Sequence, residues 1–98
     1  MSRSLVERRL TEVGARLKEL REELTVSDEQ LAHLAEAADD ARLRSLLSET
    51  PLADREHQDA QRHADAMQRH RADVIDQINR LEQTQDDLLD RLMAETRS

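Results

Sequence analysis

Apolar residues recur along this chain at alternating steps of four and three. From the N-terminus they fall at Val6, Leu10, Val13, Leu17, Leu20 and Leu24. That spacing is the seam of a left-handed coiled coil, in which one stripe of a helix faces another helix. Continued without adjustment, the count lands on Ser27, Leu31, Leu34, Ala38, Ala41 and Ser45. Residues 25–30 carry signals of a helix start. Ser27 and Gln30 have capping-box spacing, and Asp28 and Glu29 suit a helix N-terminus. The phase nevertheless survives this stretch, and a true turn has no reason to preserve it. The pattern predicts one helix over about residues 4–47, and a kink near Val26 is compatible with it.

The interruption comes at Ser48-Glu49-Thr50-Pro51. Proline disfavours helix in the residue before it and suits the first position of a new one. Thr50 reads as an N-cap and Pro51 as the first helical residue, giving a turn over about 48–50 and a second helix over about 51–95. Its seam, phased from its own C-terminal half, is Val74, Ile78, Leu81, Gln85, Leu88 and Leu92. Traced backwards it gives Arg71, Met67, Ala64, Ala60, His57 and Ala53.

Pairing the two seams antiparallel about Glu49 matches Val6 with Leu92, Leu17 with Leu81, Leu24 with Val74, Ser27 with Arg71, Leu31 with Met67 and Ala38 with Ala60. Every layer sums to 98. Seams phased independently have no reason to agree in this way. The expected architecture is all-α: a long antiparallel two-helix coiled-coil hairpin that forms a single unit over 1–98 and associates into a dimeric helical bundle. Near the turn, Arg42 would face Asp54 and Arg44 would face Glu56. The layers close to the turn are small, whereas the Leu-rich half near the termini carries the larger buried area and therefore most of the stability.

Eight large aliphatics have no place on the seam. Leu5, Val26, Ile75 and Leu89 flank it, and Leu43, Leu46, Leu47 and Leu52 crowd the turn. Two readings stand side by side. In one, the flanking group widens the stripe and the turn leucines fold over the turn. In the other, they are interfaces, because a two-helix rod has little surface with which to cover them. On the second reading Leu5, Val26, Ile75 and Leu89 form an oligomer interface. Leu43, Leu46, Leu47, Glu49, Leu52 and Asp54 then form a partner-binding tip.

Composition supports the helical reading. Ala, Glu, Lys, Leu and Arg make up 53 of the 98 residues, the share expected of long helices. With no aromatic residue there is little from which to build a sheet. With no cysteine there is no disulfide, thiol nucleophile or zinc knuckle. No apolar run approaches the roughly 18 residues of a membrane span, and the start lacks the apolar core of a signal peptide. Fourteen Arg against one Lys is the usage of a GC-rich genome, and the expectation is a bacterial cytoplasmic protein. A net charge of −7, with no basic stretch, argues against nucleic acid as a partner.

Candidate chemistry is sparse. Asp59, His63 and His70 recur along one side of the second helix, but a zinc site needs three or four converging ligands, and these span three turns. His57 lies on the seam as a packed polar residue. Catalysis needs a concave pocket, and a hairpin offers none. The expectation is a protein that is not an enzyme and takes no cofactor, metal or small-molecule substrate. It is a coiled-coil protein–protein interaction module, an adaptor or an assembly factor.

One resemblance adds an alternative. The run Pro51-Leu52-Ala53-Asp54-Arg55 is similar to the Asp-Arg-containing tip of DksA-type factors, whose coiled-coil arm enters the secondary channel of bacterial RNA polymerase. The similarity covers about eight residues plus generic coiled coil. It implies a regulator of a large enzyme, acting through its acidic hairpin tip with Asp54 and Glu49 as the tip acids. The zinc-binding cysteines and globular domain of that family have no counterpart here.

Overall fold

The computed structural model describes residues 2–97. Two helices account for nearly all of them: α1, Arg3–Ser48, and α2, Pro51–Arg97. Helix α1 is unbroken through residues 25–30, where the sequence offered a second start. Among the described residues, neither helix is long and apolar enough together to cross a membrane.

The helix ends follow from local chemistry. Thr50 caps α2: its Oγ1 accepts the N–H of Ala53 at 3.2 Å, and its carbonyl accepts the N–H of Asp54 at 3.1 Å. Pro51 occupies the first helical position, where its missing N–H costs nothing. Asp54 in the first turn and Arg97 in the last both suit the helix dipole. Helix α1 starts one residue earlier than its pattern suggests, because the Ser2 Oγ accepts the N–H of Leu5 at 3.3 Å. It ends through Glu49, whose N–H reaches the Ser45 carbonyl at 3.1 Å with φ at 51°. This is the left-handed closing residue of a helix, a position that glycine normally takes.

All twelve seam positions of α1 and all twelve of α2 are withdrawn from solvent, fully or in part. Among the described residues, only Gly14, Glu23, Ile75, Thr84 and Glu95 share that status away from the twenty-four. The chain divides into two compact units. One joins the segment up to Glu23 with the segment from Val74 onward, and the other is Leu24–Asp73. In the first, Val6, Val13, Leu17 and Leu20 of α1 and Val74, Ile78 and Leu88 of α2 are buried, and Arg16 Nη2 donates across the pair to Gln77 Oε1 at 3.5 Å. In the second, the buried residues are Ser27, Ala38, Ala41, Ala53 and Ala64. Its helices are linked by an ion pair from Arg71 to Asp28 and by a hydrogen bond from the Ser45 hydroxyl to Asp54. Rising numbers on α1 meet falling numbers on α2, so the pairing is antiparallel. Large aliphatic burial is thus concentrated in the first unit.

Two details differ from the sequence pattern. Leu24 is only half-buried, although the large seam residues that precede it, Leu17 and Leu20, are fully buried. Asp54 accepts from Ser45 rather than pairing with Arg42, and among the described residues Arg44 and Glu56 form no ion pair. The shorter Ser45–Asp54 link fixes one hydroxyl, whereas an exposed ion pair must immobilise a long side chain for about 0–1 kcal/mol.

Gly14 and Glu49 are each poorly matched to their backbone. A Cβ at Gly14 would meet nothing within 4 Å, so no close approach within the chain requires glycine there. Gly14→Ala is expected to stabilise by up to about 1 kcal/mol through helix propensity. Glu49→Gly is expected to gain a similar amount at most, by relieving positive φ against a greater loss of chain entropy. Thermal melts followed by circular dichroism read both. A lower midpoint for Gly14→Ala would reveal a neighbour that the single chain lacks.

Candidate surface at the turn and along the seam flanks

The turn end of the second unit gathers the chain's most exposed leucines. Leu43 is 58% exposed, Leu46 63%, Leu47 86% and Leu52 64%. They do not fold over the turn. The connection is only Glu49 and Thr50, too short to supply a covering loop. Leu43, Leu46 and Leu47 stand at i, i+3 and i+4 and so share one face of α1. Leu52 is on α2. Glu49 and Asp54 are exposed beside them, with the Asp54 carboxylate held by Ser45.

The flanking aliphatics divide. Leu5, Val26 and Leu89 are exposed, whereas Ile75 is half-buried. Leu5 precedes the seam residue Val6 by one, and Val26 repeats that position three heptads on. Ile75 and Leu89 instead follow the seam residues Val74 and Leu88 by one. One residue turns a helix by about 100°. In this antiparallel pairing, forward steps on both helices reach the same flank. Ala35, following Leu34, and Gln68, following Met67, accordingly line one groove. By heptad position, then, Leu5 lies on the flank opposite Ile75 and Leu89. The four residues grouped by sequence therefore do not make one surface: Leu5 is apart from Ile75 and Leu89 in the first unit, and Val26 belongs to the second. Met93, 54% exposed, is a further apolar residue that the off-seam count omits.

Concavities are shallow and chemically plain. An open groove of about 200 Å³ in the second unit is lined by Leu31, Ala35, Ala38, Ala64 and polar neighbours. An open hollow of about 390 Å³ is lined by Gln30, His33, Leu34 and Met67, with His33 its only titratable group. Neither brings a nucleophile together with a base. His57 is half-buried on the seam, His63 and His70 are exposed, and Asp59 is paired with Arg62. Among the described residues, no three His, Asp or Glu side chains converge as a metal site would require.

A pattern not drawn out by the seam analysis lies on the outward face of α1 in the second unit. Glu29, Glu36, Asp39 and Asp40 precede the leucine ridge there, all exposed and none in an ion pair among the described residues. No Arg or Lys shares that face. Arg42 and Arg44 adjoin the seam residues Ala41 and Ser45 and so stand at its edges. Counting the outer heptad positions, rather than the seam alone, would have found it. No protein-family model, curated protein or solved structure is detectably similar to this chain.

Proposed function

We propose that the chain is a non-catalytic coiled-coil protein–protein interaction module, an adaptor or assembly factor, whose turn end meets another protein. The supporting observation is the exposure of Leu43, Leu46, Leu47 and Leu52 within ten residues of chain. Single exposed leucines are ordinary on a protein surface, but a contiguous group marks a contact. In this reading the protein is cytoplasmic and has no cofactor, metal, nucleic acid, membrane or small-molecule ligand. The chain also associates with a second copy into a dimeric bundle. In the first unit Ile75 and Leu89 share one flank for that contact and Leu5 offers the other, and Val26 is an exposed apolar residue of the second. Sedimentation equilibrium at micromolar concentration is expected to give a mass above 11.3 kDa, falling to it in Leu89→Asp. A strict monomer would remove the bundle.

The alternative is a regulator of a large enzyme such as bacterial RNA polymerase, acting by insertion of its acidic tip. The exposure of Glu49 and Asp54 at the turn favours it. The two readings separate on one comparison in affinity capture from the source cell, with helicity checked. If Leu47→Asp and Leu52→Asp lose the partner and Asp54→Ala keeps it, the module reading holds. If Asp54→Ala alone loses it, the tip acts through its acids.

A further inference from the structure

We propose that the outward face of α1 at the turn end is a helical ridge that docks into an apolar groove with a Lys- and Arg-bearing rim on a different protein. The ridge consists of Leu43, Leu46 and Leu47, preceded by Glu36, Asp39 and Asp40. The inference rests on the interaction-module reading and specifies which face binds and the chemistry of what it binds.

Three observations carry it. First, the leucine spacing of i, i+3 and i+4 is that of a helix laid into a groove, where the anchors stand one above another. The ridge is convex and exposed, 86% at Leu47, so its complement is concave. Second, the face is acidic, with Arg42 and Arg44 only at its edges. Glu29, Glu36, Asp39 and Asp40 lie on it with no Arg or Lys, and none has an ion-pair partner among the described residues. Complementary charge on the occupant steers encounter and fixes register. Third, the same charge rejects other occupants. A second copy docking by this face would set acids against acids, and the negative headgroups of a membrane would repel it. The leucine pattern supplies affinity and the acids supply orientation, with Asp39 and Asp40 one helical turn before the ridge.

The test uses the whole chain with photoreactive benzoyl-phenylalanine in place of Leu47. It is irradiated in extract of the source cell, and the adduct is mapped by peptide mass. Parallel samples carry the probe at Leu52 or Leu89. The expected adduct is a different protein, labelled in an apolar concavity bordered by Lys or Arg. Its yield should fall about 30-fold in Leu43→Asp, the loss typical of a central anchor. It should fall about tenfold in Asp39→Lys with Asp40→Lys, and also as salt is raised. All variants sit at exposed positions, and unchanged circular dichroism confirms that each remains folded. An adduct with a second copy, an adduct outside a basic-rimmed groove, or a yield insensitive to these substitutions overturns the proposal. If the Leu47 probe is silent while the Leu52 or Leu89 probe captures a protein, this face is wrong and the module reading stands. If all three are silent, both fall.

Discussion

Leu20→Ala is expected to destabilise the chain by about 2–5 kcal/mol, lowering its melting midpoint by on the order of 10–30 °C. Leu20 is fully buried, as are Val6, Leu17 and Val74 in the same unit. Truncation removes the transfer energy of the lost methyl groups and leaves a cavity that rigid helix backbones close only in part. A small domain has about 5–15 kcal/mol in total, so one such loss is a large share. Leu24→Ala should cost less, because that side chain is only partly buried. Ser45→Ala should sit close to the parent. It loses a hydrogen bond to Asp54 in an exposed setting but gains helix propensity. The ordering Leu20, Leu24, Ser45 is therefore the expected result of denaturation followed by circular dichroism. The three must be compared at matched concentration, since any self-association adds to apparent stability. A Leu20→Ala melt as high as that of Ser45→Ala would show that α1 does not bury this stripe.

The seam was legible because burial in a two-helix pairing is a one-dimensional problem. A position is covered or not according to its phase, and phase can be counted along the sequence. Hence all twenty-four seam positions are withdrawn from solvent fully or in part, including the polar Ser27, Arg71 and Gln85. The turn was legible because Thr50 and Pro51 act locally, through one capping oxygen and one fixed φ. What depends on side-chain geometry was not legible. Charge pattern favoured Arg42 with Asp54, yet Ser45 takes the carboxylate. The exact start of α1 was not legible either, since it is set by the Ser2 hydroxyl that accepts the N–H of Leu5. The degree of burial at Leu24 was hidden too, because periodicity gives direction and not depth. The turn leucines were ambiguous for a related reason: whether they cover the turn depends on how much chain connects the helices. For the candidate surface, sequence gave the residues without their grouping. Leu43, Leu46 and Leu47 belong to one face with the acids before them, whereas Leu52 is on the other helix. A partner's identity lies in the complementary surface of another molecule, which no internal pattern encodes.

The second large effect concerns the stretch where sequence signals and heptad phase disagreed. Val26→Pro is expected to cost about 3 kcal/mol or more. Val26 is 50% exposed, so the substitution removes little packing and acts mainly on the backbone. Within a continuous helix, proline deletes the hydrogen bond to the carbonyl four residues back and its ring collides with that turn. It also pushes Thr25 away from helical angles. The substitution places proline directly after Thr25, reproducing the Thr-Pro step that opens α2 at Thr50. If residues 25–30 were a latent turn, with Ser27 as cap, the change would fall just outside a helix and cost little. The local sequence would then resemble a functioning restart, and only the pairing with α2 would distinguish the two sites. In the second unit that pairing requires Ser27 buried and Asp28 beside Arg71. Both need helix on each side of Val26, so the continuous reading carries the expectation. In urea the midpoint should fall by roughly 1–3 M at an m-value of about 1–3 kcal/mol/M. Val26→Ala, which keeps the backbone bond and improves propensity, serves as the reference. Should Val26→Pro unfold at the same urea concentration as Val26→Ala, α1 tolerates a break at this point and the two-helix description gives way to three helical segments.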